Sequence, residues 1–275
     1  MATTTTTTNG TSNLKISKRP WNSRGHADHG WLYTFHTFSF ASYYDPSHES
    51  FGPLRVINED RVERGTGFGK HSHKEFGIWS YILSGELEHR DSMGNLEKLR
   101  RGEVQFTNAG TGISHSEYNR NEEEDCHFIQ IWSKLDKRGL KPSYCTRKYP
   151  DEMKRDRLVR IIESSERHNG KEGPHEPIEI HADLSMDASI LSPGKKVVHE
   201  VVGKEGEERN VYLHVVMSTG RTQPKAGGAK IKVGDVVLGE GDGAYVTGAK
   251  GSGTIEVESV GEKEAEFLLF DMGEE

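Results

Sequence analysis

Covalent cross-links are nearly absent as an option for this chain. Only Cys126 and Cys145 are cysteines among 275 residues. No disulfide framework can hold the fold, and a reducing compartment is expected, the cytoplasm or also the nucleus. Apolar runs are short as well. None approaches the roughly 20 residues of a transmembrane helix, and no apolar segment follows Met1, so neither a membrane span nor a secretory signal is expected. Positive charge is in deficit: the formal net charge is −7 with 14 histidines counted as neutral. An acidic chain has little to offer a phosphate backbone, which argues against direct nucleic-acid binding. Apolar residues make up only 32% of the chain while glycine occurs 31 times. That balance disfavours long helices and favours many short strands and turns, an all-β class.

What the chain does have is a pair of histidine motifs about forty residues apart. The first is Gly65 followed by His71 and His73, the second is Gly112 followed by His115 and Glu117. Both pairs have period-two spacing within strand-like segments, and residues i and i+2 of a strand share a face. If the two strands lie opposite each other in a barrel, three imidazoles and one carboxylate converge. That donor set suits a mononuclear divalent transition metal with open positions for water or substrate.

The surrounding segments read as consecutive strands. Residues 1–13, with their threonine run, bury too little apolar surface to offset ordering and are expected to be a disordered tail. Phe35–Phe40 alternates aromatic and polar residues, as a half-buried strand does. His26, His29 and His36 form no strict period-two pair and are read as hydrogen-bonding groups of loops and strand edges. Further strands are expected at Leu54–Ile57, Trp79–Leu83, Val104–Thr107 and His127–Trp132, with a hairpin turn at Asp91–Asn95. Domain boundaries follow: an N-terminal metal-binding domain at 14–135, a connecting segment at 136–175 that carries one strand near Leu158–Ile162, and a second β-domain at 176–275. The connector's many lysines and arginines alternate with acidic residues and read as a solvated face. In the second domain His181, His199 and His214 are scattered and no H-x-H occurs, so it is expected to be metal-free. Cys126, beside His127, reads as a small buried residue.

Taken together, these segments resemble the pirin family. The residues that carry the likeness are Arg24-Gly25-His26, His36-Thr37-Phe38-Ser39-Phe40, Leu54-Arg55-Val56-Ile57-Asn58, Gly69-Lys70-His71-Ser72-His73, Glu88-His89-Arg90-Asp91-Ser92-Met93-Gly94-Asn95 and Ala109–Glu117. The likeness is dense from about 20 to 133 and looser beyond. It implies two tandem cupin domains, jelly-roll-like β-barrels in a bicupin, with one metal in the first. It also places the family's ligands on His71, His73, His115 and Glu117. The implied metal is Fe(II) first, with Cu, Ni, Mn or Zn as alternatives, bound to a monomer. The implied activity is that of a quercetin 2,3-dioxygenase, which takes a small aromatic substrate and O2. Glu117 is then both ligand and general base, and Phe68, Phe76 and Phe106 are candidate walls of the cavity. The second reading is a redox-sensitive metal protein that acts through a protein partner as a transcriptional cofactor. One departure stands out. Gly77 occupies a position where many pirin-like sequences have glutamate, and Glu75 is the nearby carboxylate that could substitute for it.

Overall fold

The computed structural model describes residues 4–274 apart from 10, 11, 219, 222, 225 and 226, and leaves out the side chains of 4–9, 12 and 13. The expected tail therefore lies partly outside the described residues. Within it, the backbone of Thr4–Asn9 forms an edge strand on Ser12–Arg19.

Strands dominate, and they form two sandwiches. In the N-terminal half a seven-stranded sheet runs, in spatial order, Ser143–Lys148, Glu103–Asn108, Phe76–Ser84, Cys126–Lys134, Leu54–Val62, Leu32–His36 and Gly25–Asp28. Facing it is a four-stranded sheet in the order Gly67–His73, Ile113–Tyr118, Glu86–Asp91 and Leu96–Arg100. The C-terminal half repeats this plan. Its eight-stranded sheet includes Gly243–Lys250, Glu208–Val215, Ala265–Met272 and Leu184–Leu191, and its four-stranded sheet starts with Lys196–Glu200 beside Thr254–Ser259. The sheets are jelly-roll-like and do not close into barrels.

The two halves interlock at their edges. Ser12–Arg19 lies at the front of the chain yet pairs with Gly243–Lys250 of the C-terminal sheet. The segment expected to be a connector supplies strands to both halves: Ser143–Lys148 pairs with Glu103–Asn108 in the first, and Val159–Ser164 pairs with Leu184–Leu191 in the second. Ser143–Lys148 escaped sequence reading because its alternation is masked by Arg147 and Lys148.

Strict alternation sends each strand's side chains to two different environments. On the large N-terminal sheet Ile57, Trp79, Tyr81, Ile129 and Ile131 face outward and meet Ile180, Met186, Tyr212, Phe270 and Met272 of the other half in one shared core. Each such side chain, fully buried, is worth about 1.5–3 kcal/mol. The inward faces of the two halves differ. The C-terminal sandwich is filled by apolar side chains such as Leu213, Val215, Ile231, Val257, Phe267 and Leu269. The N-terminal one has a small apolar cluster at one end, with Ile82, Leu87, Leu99, Cys126 and Phe128. The rest of its interior is polar, and the candidate site lies there.

Candidate metal centre

His71 and His73 lie on Gly67–His73, and His115 and Glu117 on Ile113–Tyr118. These strands are not opposite each other, as the sequence reading supposed; they are antiparallel neighbours in the four-stranded sheet, with His115 directly across from His71. A register shift between His115 and Glu117 puts Glu117 across from Phe68. On its other side Ile113–Tyr118 pairs with Glu86–Asp91, which brings His89 opposite Glu117. Adjacent strands about 4.8 Å apart bring His71, His73 and His115 together, whereas Glu117 groups with His115 and His89.

The imidazoles form a tight cluster. Ring centroids of His71, His73 and His115 are 4.6 to 4.8 Å apart in every pairing. His71 Nε2 lies 3.1 Å from His115 Nε2. His71 Nδ1 donates to the Gly69 carbonyl at 2.7 Å, which leaves Nε2 as the free lone pair. His73 Nε2 and His115 Nδ1 are buried without a hydrogen-bond partner among the described residues. Burial first, and then the neighbours His115 and His71, lower the His73 pKa to about 4, so that its ring is neutral at pH 7. Three clustered imidazoles, two of them with an unpartnered buried nitrogen, fit a divalent cation.

Glu117 is 2% exposed. Burial alone would raise its pKa, but His115, His89, His71 and the Gln105 amide bring it below the ordinary carboxylate range. Gln105 Nε2 donates to Oε1, and Gln130 Nε2 donates to Oε2 at 3.2 Å. Those amides belong to a polar row that crosses five strands of the facing sheet. His36 is registered with Asn58, Asn58 with Gln130, Gln130 with Ser80, and Ser80 with Gln105. Ser80 Oγ donates to Gln130 Oε1 at 2.5 Å, and Gln105 Nε2 reaches Ser80 Oγ at 2.9 Å. One sheet thus presents the histidines and the carboxylate, and the other holds the carboxylate in place.

A cavity of about 70 Å³ adjoins the cluster, lined by His71, Glu117 and Gln130 together with Leu32, Thr34, His36, Phe40, Asn58, Asp60, Phe68, Phe128 and Trp132. Phe68 is therefore a wall, as expected. Phe76 is one layer out, packed on Trp132 with centroids 5.6 Å apart. Phe106 is not a wall: Gln105 takes the inward position of its strand, and Phe106 packs on Trp79 in the shared core. Glu75 is not a substitute ligand either. The strand ends at His73, Glu75 adopts a positive φ of 61° in the turn, and its carboxylate accepts from the Gly139 amide. A Cβ on Gly77 would sit 2.9 Å from Ile180 Cδ1. Position 77 thus faces the other half of the molecule, and its lack of a carboxylate takes nothing from the histidine cluster.

Two histidines of the site, His36 and His89, carry no signal of their role in the sequence. His36, read as a strand-edge residue, is a cavity wall with Nδ1 2.9 Å from Asn58 Oδ1. His89 is fully buried, stacks on Tyr144 at 4.5 Å, and has a nitrogen within 4.8 Å of ligand atoms of both His115 and Glu117. In the second half the scattered histidines are engaged elsewhere: His181 with Ser165, His199 with Asp271, and His214 with Glu59. Among the described residues, no metal-competent His, Cys, Asp or Glu group lies there. No helix is long and apolar enough to cross a membrane.

Comparison with known proteins agrees with this architecture. Residues 18–133 match the family model described as Pirin, and residues 169–272 match that of the quercetinase C-terminal cupin domain. Quercetin 2,3-dioxygenase of Escherichia coli K12 is 42% identical over 201 residues, 73% of this chain and 81% of that protein. A pirin-like protein of Caulobacter vibrioides is 33% identical over 256 residues, 93% of this chain and 99% of its own length. The crystal structure of the bacterial pirin YhhW from Escherichia coli in complex with nickel(II) superposes with a TM-score of 0.78 at 35% identity, covering 94% of this chain and 99% of that one. The chain is a two-cupin protein and belongs to the pirin family.

Proposed function

We propose that this protein is a metal-dependent dioxygenase of the quercetinase type, acting with O2 on a flavonol or a related hydroxylated aromatic. His71, His73, His115 and Glu117 would hold one divalent transition metal, Fe(II) in the first instance. The observation that carries the reading is the cluster of His71, His73 and His115, whose ligand atoms lie within 4.8 Å of one another, beside a cavity that His71 and the buried carboxylate of Glu117 both line. Relatives named for quercetin oxygenation support the substrate class, and a nickel-bound relative supports a divalent metal.

When bound, the metal supplies a Lewis acid that makes a substrate hydroxyl acidic and a centre at which O2 chemistry can occur. The chain's own groups do the rest. Glu117, held ionised, accepts the hydroxyl proton as general base. Gln105 and Gln130 fix its two oxygens, so that the base does not reorient between cycles. Phe68 and Trp132 give the aromatic substrate flat apolar surfaces and exclude water. The cavity of about 70 Å³ is small beside the roughly 300–1,000 Å³ of sites that enclose a drug-sized ligand. Only the hydroxylated end of a flavonol enters it, with the remainder at the mouth.

Oxygen uptake with quercetin, measured on protein loaded in turn with iron, copper, nickel and manganese, tests the assignment. Consumption of both reactants on at least one metal is expected. Consumption on none would overturn the dioxygenase reading and leave the partner-binding reading in its place.

A further inference from the structure

The strand Leu54–Val62 is buried along nearly its whole length, yet its centre is Asn58-Glu59-Asp60-Arg61, exposed by 3%, 0%, 4% and 1% respectively. Four consecutive polar residues inside a central strand are costly unless each is satisfied. Alternation divides them between two faces. Glu59 faces the other half of the molecule. His127 Nε2 lies 3.0 Å and His214 Nε2 2.9 Å from its carboxylate, and the Met217 amide donates to it at 2.8 Å. A structural role accounts for it fully.

Asp60 faces the cavity, and no comparable set of partners meets it. Thr34 Oγ1 donates to Oδ1 at 2.5 Å, and among the described residues this is its one side-chain hydrogen bond. Around it the cavity wall is apolar: Leu32, Phe68 and Phe128. Phe128 is its cross-strand partner. Burial raises the Asp60 pKa to about 7, against the Thr34 hydrogen bond and with a further rise from the charge of Glu117. Near neutrality this carboxyl both donates and accepts. Gln130, which holds Glu117, is registered with Asn58, two residues before Asp60 on the same face. Gln130 and Asp60 are thus diagonal neighbours about 7–8 Å apart, and Asp60 shares the cavity with His71 and Glu117.

We propose that Asp60, positioned by Thr34, is a specificity-determining residue that hydrogen-bonds a second oxygen of the substrate, at the end of the ring remote from the histidine cluster. The preferred class is then a planar aromatic with oxygen substituents at both ends of one ring. A phenol with a single hydroxyl fills the same space but leaves Asp60 unpaired, and a site built to pair a hydroxyl discriminates against the analogue that lacks it. The inference rests on the reading of this cavity as the reaction site, but it concerns binding and not turnover.

The test uses the full chain loaded with zinc, under nitrogen, with hydroquinone and phenol as probes and calorimetric titration as the readout. Wild-type protein is expected to bind hydroquinone about tenfold more tightly than phenol, the scale of one hydrogen bond of about 1.4 kcal/mol. Asp60→Leu should bring that ratio to about one with phenol affinity retained, and Thr34→Val should reduce it in part. Asp60→Asn is the near-isosteric control for folding and should keep part of the preference. Metal content and circular dichroism are checked on each variant. An unchanged ratio in correctly folded, metal-replete Asp60→Leu or Asp60→Asn overturns the role of Asp60 and leaves the reaction site untouched. Failure of wild-type protein to bind either probe overturns the reading of the cavity as the reaction site, and this inference with it.

Discussion

At the scale of single residues, the two candidate ligand motifs make opposite demands. His71 and His73 are half-buried, and the His73 ring is held neutral by burial, whereas Glu117 is a buried charge balanced by amides and imidazoles. Replacing both His71 and His73 with alanine is expected to take bound metal from about one per chain to none, by elemental analysis. Glu117→Gln keeps a ligating oxygen but cannot take a proton. Metal should remain partly bound while turnover falls by about 10²-fold or more; full turnover would reduce Glu117 to a ligand only. Asp60 gives a pH signature with a definite sign. Its folded pKa of about 7 lies above the unfolded value, so its contribution to stability is complete below about pH 4 and is lost as pH rises through 7. His36 and His73, both lowered to about 4, act in the opposite sense: stability rises with pH between about 4 and 6.5. Denaturant titrations of chelator-treated protein should show Asp60→Asn losing the decline through neutrality and keeping the rise at acid pH.

At the scale of elements, the N-terminal edge separates two behaviours. Residues 4–9 are nearly all threonine and offer little apolar area to bury. Ser12–Arg19 carries Ile16, fully buried in the C-terminal core, and it covers the edge of Gly243–Lys250. Deleting residues 2–11 should leave the melting temperature nearly unchanged. Deleting through Arg19 should lower it by many degrees, since it removes a buried isoleucine and uncovers a strand edge. A large drop from the shorter deletion would show that Thr4–Asn9 holds the sheet edge as well. Much of this level was legible beforehand. The segments Trp79–Leu83 and His127–Trp132, read as strands from their apolar runs, lie within the strands Phe76–Ser84 and Cys126–Lys134. Val236–Gly239 was hidden because it is only a short edge after a tight turn.

At the scale of the whole molecule, the halves are joined by a shared apolar core and by buried charges, with Glu59 at their centre. Glu59 belongs to the N-terminal half, and His214 and the Met217 amide belong to the other. Burial alone would raise its pKa, yet the hydrogen bonds from His127 and His214, the charge of His214 and that of Arg61 hold it well below the ordinary range. Glu59→Ala leaves Arg24 and Arg61 buried without their carboxylate and should cost about 3–5 kcal/mol, read by denaturant unfolding. A change below about 1 kcal/mol, the size of a surface pair, would mean that the interface rests on its apolar contacts alone.

The residue pattern by itself determined the strand-rich class, the paired motifs and the ligand candidates, because period-two alternation and the spacing of His71, His73, His115 and Glu117 are local properties of the chain. Only the tertiary structure decided the rest. Which strands are neighbours depends on pairings between distant segments, so the adjacency of the ligand strands, the approach of His89 and the polar row behind Glu117 could not be read from spacing. The same holds for Phe106, whose aromatic ring suits either face of its strand equally well. Its outward place follows from register, and register is set by the apolar faces that the two halves bury against each other.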